Sequence, residues 1–473
     1  MKIVYSFLAL LFCCSTNIRK ATFFTKPYLQ IGNQPSDHSL QVLWHVAESE
    51  DSWQVEYKTN DSSKWINSEK IYFTKVQIKN APFHRIYHAS MNNLVSGEEF
   101  IYRLFKNSKE VFSSTAKSPK SFNQPYKFVV FGDIGAETDE QKALAQRVMK
   151  SNPDFVAVAG DIVYERGLVS EYRNKFWPVY NAEKMNLSGA PIMRSIPWVA
   201  AVGNHDMASR DLNSNPDGLA YYMYWEQPLN GPQGREGDSW VPILGGSESR
   251  KTAFKIAAGI SYPNMTNFSF NYGNSHWTVL DANTYVDWTD STLVSWVEKD
   301  LNTSQEYTWH FVLFHHPGFS SSVAHAEQQH MRLLAPLLEA GHVDIVLSGH
   351  VHNYQRTYPM KFKPINKSKQ LTGGKNGNMP GWRTVPGLWT LDKKFNGDTQ
   401  TKPEGVIYII TGAGGNELYN PEQEIRPNTW QNFTYKFIST VHSLTQVEVN
   451  GNMLTLKQMT SDGRELDSFT ITK

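Results

Sequence analysis

Phe155-Val156-Ala157-Val158-Ala159-Gly160-Asp161-Ile162-Val163-Tyr164 sets five apolar residues ahead of a glycine, a carboxylate and, three residues on, a phenol. A run this short and this uniformly apolar reads as a strand buried on both faces rather than as a helix. Five other runs are built the same way. Residues 128–131 lead into Gly132-Asp133-Ile134-Gly135, residues 198–202 into Gly203-Asn204-His205-Asp206, and residues 311–314 end on His315. Residues 343–347 lead into Gly349-His350-Val351-His352, and residues 406–410 into Thr411-Gly412-Ala413-Gly414-Gly415. The sixth cluster reads as a tight turn rather than a phosphate loop, but the first five share metal-binding chemistry. Side chains gather where strands leave the carboxyl edge of such a sheet, so groups distant in sequence can meet in one crevice.

Between the strands lie helical stretches. Thr138-Asp139-Glu140-Gln141 reads as a capping box opening a helix over 138–149, with Leu144 and Val148 on one face. Further helices are expected over 291–301, with Leu293, Trp296 and Val297 inward, and over 327–340, ended by Gly341. Strand and helix in alternation predict a layered α/β (α+β) domain over 121–473.

Ahead of it the pattern changes. Over 22–120, short alternating segments such as 40–44, 53–57, 86–89 and 100–104 are separated by turn-rich spacers. No helical period appears, which predicts a small all-β sandwich with a structural or docking role. This part resembles a fibronectin type III domain. Residues 1–20 open with Met1-Lys2 and an apolar stretch over 3–14, the pattern of a signal peptide and too short to span a bilayer. Export to the periplasm or outside the cell is therefore expected, with lipid attachment at Cys13 as the lesser reading because bulky Phe12 precedes it. Cys13 and Cys14 are the chain's only cysteines, so no disulfide is expected in the mature protein. With 46 basic against 45 acidic residues, the 473-residue chain lacks the positive field of a general nucleic-acid binder. A phosphate ester would have to be held locally.

Phosphoester hydrolysis needs a hydroxide nucleophile and charge neutralisation on the phosphoryl oxygens, both of which two adjacent metal ions supply. Asp133 and Asp161 are the available carboxylates, Asn204 a carbonyl ligand, and His315, His350 and His352 the imidazoles. His316 adjoins His315, and only the Val312-x-x-His315 spacing selects the latter. A phenolate from Tyr164 favours a trivalent ion such as Fe(III). Imidazoles with an Asn carbonyl suit Zn, Mn or Fe(II), so the two ions should differ. His276, at the head of another strand pattern, reads as a satisfied core histidine. A lone Gly-Asp or His-x-His is ordinarily a turn or surface polarity; five such clusters in series are not explained that way.

In this order the five clusters resemble the signature of purple acid phosphatases, within the dinuclear metallophosphoesterases. The resemblance implies that Asp133, Asp161, Tyr164 and His352 hold the ferric ion, with Asp161 bridging. Asn204, His315 and His350 would complete the divalent site. His205 would face the phosphate. His325, the histidine that precedes the helix expected at 327, would protonate the leaving group. The implied function is an exported acid phosphatase cleaving phosphomonoesters with a metal-bridging hydroxide at an Fe(III)–M(II) centre. A phosphodiesterase or nucleotide pyrophosphatase would use the same pair, and an adhesion or carbohydrate-binding protein with a vestigial site is the reading from another class. Two Gly-, Asn- and Pro-rich stretches, 206–275 and 362–405, are candidate lids or plain insertions.

Overall fold

The computed structural model describes residues 21–365 and 384–473. The signal-like segment with Cys13 and Cys14, and positions 366–383 of the second Gly-rich stretch, lie outside the described residues. Among the described residues, no helix is long and apolar enough to cross a membrane.

The six apolar runs become strands in two facing sheets. Tyr126–Phe131, Phe155–Ala159 and Trp198–Ala201 pair in parallel in the first. Trp309–Leu313, Ile345–Ser348 and Ile407–Thr411 pair in parallel in the second. Alternate side chains serve two cores, which is why the runs are almost wholly apolar, Asp344 being the charged exception. Phe128, Val130, Phe155, Ala157 and Ala159 point between the sheets, where they meet Trp277, Phe311 and Leu313. The Phe128 ring stands edge-on to Trp277 with centroids 4.9 Å apart. Val129, Phe131, Val156 and Val158 point outward against the helical layer, including Leu144 and Val148. Burying each such side chain contributes about 1.5–3 kcal/mol.

The N-terminal unit is a sandwich of short strands, as its alternation predicts. Leu40–Ala47 sends Leu40, Val42, Trp44 and Val46 into the sandwich core, against Val55, Tyr57, Tyr102 and Leu104 of the other sheet. Its opposite face is not solvated. Leu43, with Tyr28 and Ile86, joins the outer core of the α/β unit. Thr25–Gln30 pairs in parallel with Trp198–Ala201 through Gln30 and Trp198, so the two units share one ten-stranded sheet.

Several local expectations need correction. The helix opened by Thr138 spans Asp139–Ser151, and Thr138 accepts from the Gln141 N–H at 3.2 Å. The return arm of the capping box, however, runs from Glu137 N–H to Gln141 Oε1 at 2.7 Å rather than to Thr138. The continuous helix expected over 327–340 is instead a 3₁₀ turn, His330–Leu334, followed by Ala335–Ala340. Pro336 is the reason: it has no N–H to give to the Arg332 carbonyl four residues back, which accepts from Ala335 N instead, in a 3₁₀ turn. Three C-terminal strands that the residue pattern does not foreshadow, Ser443–Asn450, Met453–Thr460 and Glu465–Thr472, extend the first sheet beyond Tyr126–Phe131.

Much of 206–275 is built into the molecule. Helix Glu248–Ala258 packs on strand Ile71–Val76 of the sandwich, and Phe268–Tyr272 is the edge strand of the second sheet. Glu226 meets His88 of the sandwich at 2.7 Å.

Candidate metal centre

The five ligand-type clusters follow the strands of the paired sheets, and hydrogen bonds join them: backbone bonds tie the first to the second and the fourth to the fifth, while the Asp206 carboxyl and the His205 N–H tie the third to the second. Asp133 N donates to Gly160 O at 3.0 Å, Ile134 N to Asp161 O at 3.1 Å and Gly349 N to His315 O at 3.0 Å. Asp133, Asp161 and His350 all adopt left-handed backbone angles, with φ of 62°, 50° and 66°. Such angles cost on the order of 1–3 kcal/mol each and persist where the surroundings over-determine them. Glycine is required beside them. A Cβ on Gly349 would lie 2.6 Å from Asp133 Oδ2, and one on Gly203 would overlap the Asp161 carboxylate and N–H.

Two groups of donors result. In the first, Tyr164 Oη donates to Asp133 Oδ1 at 2.8 Å, and His352 Nε2 lies 3.2 Å from the phenol and 3.3 Å from that carboxylate oxygen. In the second, His315 Nε2 lies 3.2 Å from Asp161 Oδ2 and 3.1 Å from Asn204 Oδ1. Ligand atoms of Asp161, His315 and His350 all fall within 4.8 Å of one another. The far nitrogens are already engaged: His315 Nδ1 with Ala159 O at 2.7 Å and His352 Nδ1 with Glu417 O at 2.6 Å. His350 is turned the other way, its Nε2 2.9 Å from Gln328 Oε1, which leaves Nδ1 for an ion. Oriented imidazoles of this kind are the usual surroundings of metal sites.

The electrostatics call for a cation. Burial pushes the Asp161 carboxyl up, but His315 and His205 outweigh it and bring it down to about 2. Burial likewise opposes charge on His315, yet Asp161 and Asp133 hold its imidazole up at about 9. Burial and the charges of Asp133 and Asp161 push the Tyr164 phenol well above its ordinary value. Protons therefore occupy His315 and Tyr164 where carboxylates converge, and a metal ion would displace them. The donor set, with a carboxylate, a phenol and one imidazole around Asp133 and a carboxylate, an amide oxygen and imidazoles around Asp161, fits metal ions.

The remaining predicted residues border the crevice. His205 N donates to Asp161 Oδ1 at 2.8 Å, its Nδ1 lies 2.7 Å from Glu165 O, and its ring is half-buried beside Tyr164. The His325 ring lies 4.2 Å from that of His350. His316 packs its ring 4.1 Å from His350. His276, away from this group, meets Asn271 at 2.7 Å and Asp300 at 3.0 Å, as a satisfied core histidine should.

Sequence reading missed three contributors. Asp206, fully buried, accepts from Ile162 N at 3.1 Å and from Gly203 N at 2.8 Å, bracing two ligand loops against each other. Its signal was present: an acid three residues after a glycine in a turn commonly accepts local N–H groups. Gln328 was hidden inside the wrongly expected helix. Tyr419, just beyond the sixth run, stacks on His352 with centroids 4.0 Å apart and planes 13° from parallel.

Residues 126–354 match the calcineurin-like phosphoesterase family. Purple acid phosphatase 21 of Arabidopsis thaliana is 25% identical over 308 residues, covering 63% of this chain and 59% of that protein. Purple acid phosphatase 18 of the same plant is 25% identical over 395 residues, covering 81% of this chain and 76% of that one. Among solved structures, purple acid phosphatase PPD1 from yellow lupin (Lupinus luteus) superposes with a TM-score of 0.63 at 17% identity, over 94% of this chain and 74% of that one.

Proposed function

We propose, from the match of residues 126–354 to the calcineurin-like phosphoesterase family and the likeness to purple acid phosphatases, that this chain is a metal-dependent phosphoesterase, and specifically an exported acid phosphatase acting on phosphomonoesters. The observation that carries the reading is that two donor groups, one around Asp133 and one around Asp161, lie on hydrogen-bonded neighbouring loops. Asp133, Tyr164 and His352 would hold a ferric ion. Asn204, His315 and His350 would hold Zn, Mn or Fe(II), with Asp161 shared. Bound there, the pair would acidify a water molecule and neutralise charge on the phosphoryl oxygens. His205, close to Asp161 and half-exposed, would donate to a phosphoryl oxygen. His325, beside His350, would give its proton to the departing alkoxide. The apolar stretch at 3–14 supports export.

The test is turnover of a panel of monoesters, diesters and nucleotide pyrophosphates by metal-loaded protein. Monoesters should be preferred; faster diester or pyrophosphate cleavage would replace the reading with phosphodiesterase, and no turnover at all with a binding role.

Two variants probe the assigned roles. His325→Ala should slow esters with poor leaving groups about 10²-fold or more while sparing activated esters, because only the former need a proton in the transition state. Equal losses on both would assign His325 to binding instead. Iron-loaded, oxidised protein should absorb visible light through phenolate-to-Fe(III) charge transfer, and Tyr164→Phe should abolish the band. A colourless iron-loaded wild type would remove Tyr164 from the ligand set.

A further inference from the structure

Three arginines are buried among the described residues, and two of them are neutralised in the usual way. Arg85 meets Glu48 at 2.9 Å and Arg356 meets Asp467 at 2.7 Å. Arg332, only 6% exposed, has no carboxylate partner among the described residues. Segments 1–20 and 366–383 contain no Asp or Glu to supply one. Its Nε donates to Gly318 O at 2.6 Å and its Nη1 to Val385 O at 3.3 Å, while Nη2 has no acceptor among the described residues. The Phe319 ring, 5.0 Å away, helps to solvate the cation but cancels no charge. Buried charges are ordinarily paired, because desolvating one alone is costly. Burial draws the Arg332 guanidinium down to about 10, which still leaves it charged at neutral pH.

Arg332 lines a cavity of about 190 Å³ with Ser320, Ser322, Gln329, Trp389 and Gln431. Ser320 Oγ accepts from Ser322 N at 3.1 Å and from Gln355 Nε2 at 3.0 Å, so its own proton is left to donate. The exposed Gln431 side chain makes no hydrogen bond to a described residue. A guanidinium, a hydroxyl and an amide face one space that no carboxylate lines, and guanidinium geometry suits tetrahedral oxyanions. The volume is below the roughly 300 Å³ at which sites for drug-sized ligands begin.

We propose that this cavity is a second anion site, taking one phosphoryl group on Arg332, Ser320 and Gln431, separate from the metal centre. Val323 and Ala326 also line it and flank His325 in sequence. An occupant would therefore stiffen the loop that carries His325 and Gln328. The phosphoryl group is either free phosphate or the distal phosphate of a larger substrate.

Calorimetric titration with inorganic phosphate tests this directly, using chelator-treated Asp161→Asn protein so that the metal centre does not compete. One saturable site is expected, weakened at least tenfold by adding Gln431→Ala and lost on adding Arg332→Gln. Absence of a saturable site overturns the proposal, as does binding that survives both additions. Should Arg332→Gln fail to fold, the exposed Gln431→Ala carries the test alone. A kinetic arm separates the two sources in otherwise wild-type protein. If Gln431→Ala raises KM only for a monoester bearing a second, distal phosphate, the pocket belongs to the substrate; if KM is unchanged for both esters while the phosphate site is lost, it belongs to the free ion.

Discussion

Asp161→Asn should lower kcat on a chromogenic phosphate monoester by about 10³-fold or more, since losing a single oriented transition-state contact already costs roughly 10²–10³. Asp161 belongs to one donor group and acts on the other through its charge. It lies 3.2 Å from His315 Nε2, and it adds to the field that holds the Tyr164 phenol up beside Asp133. An amide is nearly the same shape and still accepts from His205 N, but it cannot bridge two cations as an anion. Metal analysis should accordingly show about one ion lost per chain, with metal-loaded variant unfolding earlier than metal-loaded wild type. Wild-type turnover by the variant would reject metal-dependent hydrolysis at this centre.

Asp206→Ala should cost about 3–5 kcal/mol of stability, the largest loss expected from a residue that touches no ion. Its carboxyl answers the N–H groups of Ile162 and Gly203, both buried, and alanine would leave each without a partner. Burial and the charge of Asp161 push the Asp206 carboxyl up to about 8, so the neutral acid already prevails at pH 7. Asp206→Asn keeps an acceptor without the charge and should be much milder. Chemical denaturation of the three proteins reads this out. Equal midpoints for wild type and Asp206→Ala would mean the two loops are held some other way.

The strands that carry the centre were legible because burial on both faces leaves an unmistakable mark: Phe155–Ala159 has no polar residue, and the structure gives it two cores. The ligand candidates were legible for a related reason, since polar groups of matched chemistry recur where those runs end. What escaped has equally physical causes. Pro336 breaks a helical pattern that composition alone makes continuous, and the error concealed Gln328. The C-terminal strands alternate without a metal-type cluster and follow long loops, so nothing local announces their place in the first sheet. Asp206 was read as part of a cluster but not as its brace, because its partners are backbone N–H groups up to 44 residues away.

The pairing of Gln30 with Trp198 bears on any attempt to trim the molecule. Trp198–Ala201 is the strand that delivers Asn204, and Thr25–Gln30 covers one of its sides. Cutting away the first hundred residues would turn that strand into a raw margin with unanswered N–H and C=O groups, an invitation to self-association. The amino-terminal sandwich is thus no detachable appendage: it acts as a selvedge for the fabric from which the catalytic crevice is cut.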